Sequence, residues 1–314
     1  YLLYPLVVAP LVVWGVDKIF EGESPIMFVF GMFLCFFCSV SLAYTTCISL
    51  GVYCLIKVFN LNDRITFKGF FVWVFKILGW VCLAALVAAV MFLPGAMALL
   101  DQGRLGLDRY QTLFYSPSYY ITFIEGFTSY TGVGEDCFYG FAPIAILSVF
   151  CLFLLSNKEE KSGSVRILRI AFVVFTAFLC LPFIGRLYNG MAYANNRWVW
   201  SYCLLVSVLV AFSLPRLRLL FCGRDHRVVI GVCAYSFLCL FLLFVSGGTI
   251  DLQLLVVTLM ATLLCYLFAA KKAVFNSCIL GSIVLSVFLV SFSWGNNNAA
   301  NQVDFGESYD YEVR

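Results

Sequence analysis

Charge is scarce in this chain. Only 12% of its 314 residues are Asp, Glu, Lys or Arg, whereas 63% are hydrophobic. A soluble domain with 33 Phe and so few charges could not cover its surface with polar groups. Mean hydropathy is +0.97, and apolar stretches of spanning length recur along the chain, which marks an integral membrane protein. Histidine is nearly missing, with His226 alone, and no Cys-x-x-Cys pair stands in a polar loop. Cys35 and Cys38 have that spacing but lack a second pair, so no cofactor is expected, and a divalent metal, though left open, has no support in these residues. Cysteines such as Cys47, Cys54 and Cys151 lie inside apolar runs as small hydrophobes, not as a disulfide framework. No glycine-rich loop is followed by Lys-Ser/Thr, and Gly132-Val-Gly134 reads as a tight turn, not a phosphate cradle. A nucleic-acid partner is not expected either.

Acidic residues are absent from the middle of every apolar run: Asp17 and Asp251 sit at ends, and Asp225 sits in a loop. Ion- and proton-coupled transporters commonly place carboxylates at that depth, so their absence disfavours that class. Nothing resembles the repeated carbonyl loops or charged rings of a channel filter. The start at Tyr1 has no charged leader or small-residue cleavage site, so it is not a signal peptide. It reads as a span already in progress, and the end is abruptly polar; further sequence is expected on both sides.

What is present is a series of about ten candidate spans: 1–19, 26–42, 44–60, 69–93, 139–155, 168–184, 198–214, 228–246, 252–270 and 274–294. The second and third come from one run, Ile26 to Phe59. As a single helix it would be about 51 Å long, against a bilayer core of about 30 Å. A division is therefore expected near Ser39–Thr46, where small hydroxyl residues cluster. Lys and Arg then fall mostly on one side, which the positive-inside rule makes cytoplasmic. The other side holds only Arg104, Arg109, Arg186, Arg197 and Arg314. The expected organisation is an all-α transmembrane domain over 1–295 with outer loops at 94–138 and 185–197. The start of an extracytoplasmic tail or domain follows at 296–314.

The chemistry concentrates in Arg186-Leu-Tyr-Asn-Gly-Met-Ala-Tyr-Ala-Asn-Asn-Arg-Trp198. Arginine beside a span is costly unless it serves water, an anion or a partner. A guanidinium can grip a phosphate through two parallel hydrogen bonds. Asn and Tyr pair with hydroxyls, and Trp stacks on a sugar face or anchors at the membrane interface. The candidate contacts are Arg104, Arg186, Asn189, Tyr193, Asn195, Asn196, Arg197 and Trp198. The other account of the stretch is an interfacial turn with aromatic anchors and a satisfied Arg. Glu125 and Asp136, in the long outer loop, are candidate acid/base residues.

Residues 182–198, Pro-Phe-Ile-Gly-Arg-Leu-Tyr-Asn-Gly-Met-Ala-Tyr-Ala-Asn-Asn-Arg-Trp, resemble the signature of the bacterial YfhO-type membrane proteins. The Leu-Pro…Arg stretch 93–104 and Tyr-Gly-Phe-Ala-Pro at 139–143 support the resemblance, which covers most of 1–220. It implies a polytopic glycosyltransferase-C fold in the bacterial cytoplasmic membrane. Such a protein takes sugar from a polyprenyl-phosphate carrier and passes it to an envelope polymer such as teichoic acid. Its partners are then that lipid-linked sugar, the polymer and membrane lipids. In this superfamily the catalytic base is typically an acidic residue of the first outer loop, which would precede Tyr1, so no catalytic residue is assigned here. A transporter or flippase of a lipid-linked precursor is the alternative.

Overall fold

A computed structural model describes residues 3–61, 67–101, 113–128, 140–155, 163–191, 194–196, 198–246 and 252–308. Among them there is helix and no strand. Lipid offers a backbone no hydrogen bonds, so a chain this apolar satisfies its amides within helices. The chain divides into two compact units. The first comprises Tyr1–Tyr120, Val133–Phe138 and Leu155–Leu209, and the second Ile121–Gly132, Tyr139–Leu154 and Val210–Arg314.

The first unit begins with α1 (Leu3–Phe20) and α2 (Ile26–Cys38), joined by a turn at Glu21-Gly22. Lys18 closes that turn on Glu21 at 3.2 Å and Glu23 at 2.8 Å. The two helices pack backbone to backbone at Gly15, where a Cβ would fall 2.5 Å from Phe28 Cα. Close approach through a small residue is how apolar helices gain dispersion contact when lipid removes the hydrophobic drive. Val12, Val16, Ile19, Phe28, Met32 and Cys35 fill the interface. Asp17 is paired at the end of α1: Tyr53 donates to it at 2.7 Å and Lys57 forms an ion pair with it.

The long run breaks where its length required. Ser39 is extended, with φ −166° and ψ 130°, and α3 (Val40–Leu61) starts immediately after it. The expected span 69–93 differs. It consists of α4 (Phe67–Val87) and α5 (Ala89–Asp101), bent by 91° at Ala88. No Gly or Pro sits at the bend; Pro94 lies further on, inside α5. Packing accounts for the direction α5 takes, because Phe92 meets the ring of Phe36 edge-on at 5.0 Å. Within the long loop, α6 (Pro117–Glu125) follows as a short helix.

In the second unit are α7 (Ile144–Leu154), α11 (Arg227–Ser246), α12 (Leu252–Leu267) and α13 (Lys272–Ser308). α8 (Gly163–Leu179) and α9 (Pro182–Tyr188) belong to the first, and α10 (Val199–Cys222) gives residues to each. Gly231 of α11 lies against the Phe150 ring of α7. Arg218 donates to the carbonyls of Ala269 at 3.0 Å and Ala270 at 3.2 Å, just past the end of α12, where carbonyls lack intrahelical partners. Asp225 caps α11 by accepting from the Arg227 amide at 3.0 Å, and the Arg227 guanidinium holds its carboxyl below the usual range. The outer face of α11 is bare apolar surface, with Phe244 89% exposed, which only a lipid surrounding satisfies.

Four helices are long and apolar enough to cross a membrane, over Val40–Val58, Val199–Cys222, Arg227–Val245 and Lys272–Phe292. The number rises to six if each of two bent pairs is one span. Three runs expected to span form shorter apolar helices, at Ile26–Cys38, Ile144–Leu154 and Leu252–Leu267. The protein is thus an all-helical, multi-pass membrane protein of four to six such spans among the described residues.

Candidate functional site

The 182–198 stretch is built around a broken helix in the first unit. α8 stops at Leu179 and α9 leaves at 95° to it. Pro182 opens α9, and Leu181 before it is extended at φ −116° and ψ 115°, as a residue preceding proline prefers. The break releases carbonyls at the end of α8, and tyrosines from the start of α6 claim them. Tyr119 donates to Leu179 O at 2.7 Å, and Tyr120 donates to Cys180 O at 2.9 Å.

Asn196 completes this clasp. Its Nδ2 donates to Tyr119 Oη at 2.8 Å and Tyr115 Oη at 3.2 Å, while its Oδ1 accepts from Trp198 Nε1 at 3.1 Å. Tyr115 and Tyr119 stack at 4.0 Å. Gly185 lets α9 lie against the asparagines, since a Cβ there would sit 2.7 Å from Tyr115 Oη and 3.1 Å from Asn196 Oδ1. Trp198 is fully buried, with Tyr188 stacked on it at 4.3 Å and 17°. α3 fastens α9 from another direction: Tyr44 donates to Leu187 O at 2.7 Å, and Ser49 donates to Tyr188 Oη at 3.2 Å.

α9 ends in an unusual turn. Gly190 and Met191 both take left-handed φ, 65° and 63°, and the amides of Asn189 and Met191 both donate to Arg186 O, at 2.9 Å and 2.8 Å. Left-handed backbone is easy for glycine and unfavourable for methionine, and the paired hydrogen bonds to Arg186 O hold the turn while the Met191 side chain is exposed. Arg186 lies in the last turn of α9, where a cation complements the helix dipole. Arg186 and Asn189 are half-buried, and Asn195 and Asn196 are buried.

The structure therefore brings Arg186, Asn189, Asn195, Asn196 and Trp198 together on one clasp. Arg104, Tyr193 and Arg197 lie outside the described residues, as does Asp136. Glu125 belongs to the second unit. The partners that sequence reasoning did not assign are Tyr44, Ser49, Tyr115, Tyr119, Tyr120 and Tyr188. Their signal was chemical: a broken helix leaves carbonyls to be satisfied, and the tyrosines around Pro117 are donors of the right reach. Among the described residues no group of three or more His, Cys, Asp or Glu is placed to hold a metal ion.

Compared with known proteins, the chain matches the family described as bacterial membrane protein YfhO over residues 3–313. It belongs to the YfhO family. The match extends beyond the 182–198 motif to both units and every helix described above. Nothing matches this YfhO-family chain among curated proteins or solved structures.

Proposed function

We propose that this YfhO-family protein is a glycosyltransferase of the C type in the bacterial cytoplasmic membrane. It moves a sugar from a polyprenyl-phosphate carrier to an envelope polymer outside the cell, such as teichoic acid. The observation that carries this reading is a half-buried arginine, Arg186, held with Asn189 at the end of a helix that breaks inside a membrane protein. Sugar transfer from a lipid phosphate needs a base for the acceptor hydroxyl and cations for the departing phosphate. Arg186 supplies such a cation, and Arg197 and Arg104 are assigned the same role from their places in the sequence. Asn189 and Tyr193 are assigned to sugar hydroxyls. Asn195, Asn196 and Trp198 are positioning residues, because they are buried and two of them are joined to each other by hydrogen bond.

The test uses full-length protein in nanodiscs, radiolabelled polyprenyl-phosphate sugars and envelope polymer. Label should pass to polymer with wild type and not with Arg186→Ala or Arg197→Ala, both remaining inserted and monodisperse. Lipid binding without transfer would replace the enzyme reading by a flippase. Equal behaviour of all three proteins would reduce 182–198 to an interfacial turn.

A further inference from the structure

A second polar centre lies within the second unit, and its central group has no partner among the described residues. α6 ends at Glu125, and the chain turns through Gly126–Thr128, where the amide of Phe141 donates to Gly126 O at 3.2 Å. The rings of Phe123 and Phe141 pack on Phe127 at 6.4 and 5.6 Å. Tyr235, well inside the candidate span Arg227–Val245, donates to Ile124 O at 2.7 Å and lies 3.2 Å from Thr128 Oγ1. That pair of contacts fastens the turn to the side of α11, well away from either end of the helix. Glu125 sits between the two tethered residues and is only 6% exposed.

No hydrogen bond or ion pair to the Glu125 carboxyl is formed among the described residues, and desolvation is the sole influence upon it. Among the described residues, the titratable groups that feel its charge are Tyr235 and Cys239, both on α11, and neither is a cation. The turn 126–128 and the stretch 140–143 contribute no titratable side chain. The half-buried Asp17 is the contrasting case, a carboxylate with Lys57 and Tyr53 on it. Ionising a covered carboxylate without such a partner is far costlier than leaving it neutral. The same unit buries the hydroxyls of Ser148, Ser213 and Ser236 with no hydrogen-bond partner among the described residues.

We propose that Glu125 is a proton-binding site, a carboxyl that carries its proton at neutral pH and releases it to a base or to water admitted at the Gly126–Thr128 turn. In that step the carboxyl O–H bond breaks, the electron pair stays on oxygen as carboxylate, and the proton leaves with the acceptor. Burial raises the carboxyl above the usual carboxylate range, in the direction this requires. The site stands apart from the sugar-transfer reading.

Dicyclohexylcarbodiimide, an apolar reagent for protonated carboxyls, tests this on the full chain in nanodiscs, with the modified residues mapped by mass spectrometry. At neutral pH, Glu125 should label several-fold more than the exposed Glu21 and Glu23, because the reagent takes the protonated form. Its labelling should fall away at alkaline pH. Labelling of Glu125 that tracks Glu21 and Glu23 across the pH range would overturn the proposal. Infrared spectra of wild type and the isosteric Glu125→Gln give an independent reading that needs no reagent access. Loss of a protonated-carboxyl band at neutral pH in the variant supports the site, and superimposable spectra overturn it.

Discussion

The clasp around residues 180–198 and the turn at Glu125 are both polar centres in apolar surroundings, yet they spend their polar groups differently. In the clasp, Tyr44, Tyr119, Tyr120, Asn196 and Trp198 each have a hydrogen-bond partner within 3.2 Å. At the turn, the backbone is tied down by Tyr235 while the carboxyl beside it is left without a described partner. In water the difference would be small, because solvent completes any unmade bond. In a low-dielectric interior a made bond fixes geometry and an unmade one carries a cost. The first arrangement builds a shape, and the second keeps a group chemically available.

Removing parts of the clasp should therefore cost stability first. Trp198→Ala opens a void beneath Tyr188 and frees Asn196, and should destabilise the protein by about 3–5 kcal/mol. Thermal unfolding in detergent measures this, and an unchanged midpoint would contradict the packing. Arg186→Ala should weaken polyprenyl-phosphate binding by about 1.5–3 kcal/mol, the range for hydrogen bonds to a charged group. Titration of labelled lipid against the folded variant, beside its unfolding midpoint, separates lost binding from lost stability. Asn196→Leu keeps the volume but strands the Trp198 N–H and takes one donor from the Tyr115 and Tyr119 hydroxyls, for about 1–3 kcal/mol. Asn196→Ser, which retains one polar atom, should recover part of that loss.

The turn should respond to pH instead. A carboxyl whose folded pKa is raised lends stability that is complete in acid and is lost as pH rises through the folded value. Glu125→Gln removes that titration. The variant should outlast wild type on the alkaline side, and the difference should close as the solution is acidified below the ordinary glutamate range. A gap that widens in acid would mean that the carboxylate is paired. Arg224→Ala, in the turn before α11, should leave lipid binding as it is.

Features governed by covalent geometry or by bilayer thickness were legible in the residues. The run 26–59 was too long to be one span, and it divides at Ser39, at the edge of the expected cluster. The Pro182–Gly185 break was readable because proline bars the preceding residue from helix. The 91° bend at Ala88 was not, since no local residue announces it and distant packing supplies the direction. Ten spans were expected, and among the described residues four to six helices are long and apolar enough; where hydropathy is high, α7 forms a shorter helix of 11 residues. In the site, the stretch and its arginine were visible, whereas the inward direction of Asn196 and Trp198 was not. Composition reports that a residue can bind, and only the fold reports that its capacity is already taken.

Ser39 has a further consequence for how the protein enters its membrane. α2 has 13 residues, about 20 Å of helix, which falls short of a bilayer core of about 30 Å. Alone α2 is too short to cross that core, so its place in the bilayer depends on α1, against which it packs at Gly15, and on α3, which follows it directly. Changing Ser39 to a strong helix former such as alanine would invite one continuous rod from Ile26 to Leu61. The newborn chain would then acquire a different topology before any of its polar contacts had the chance to form.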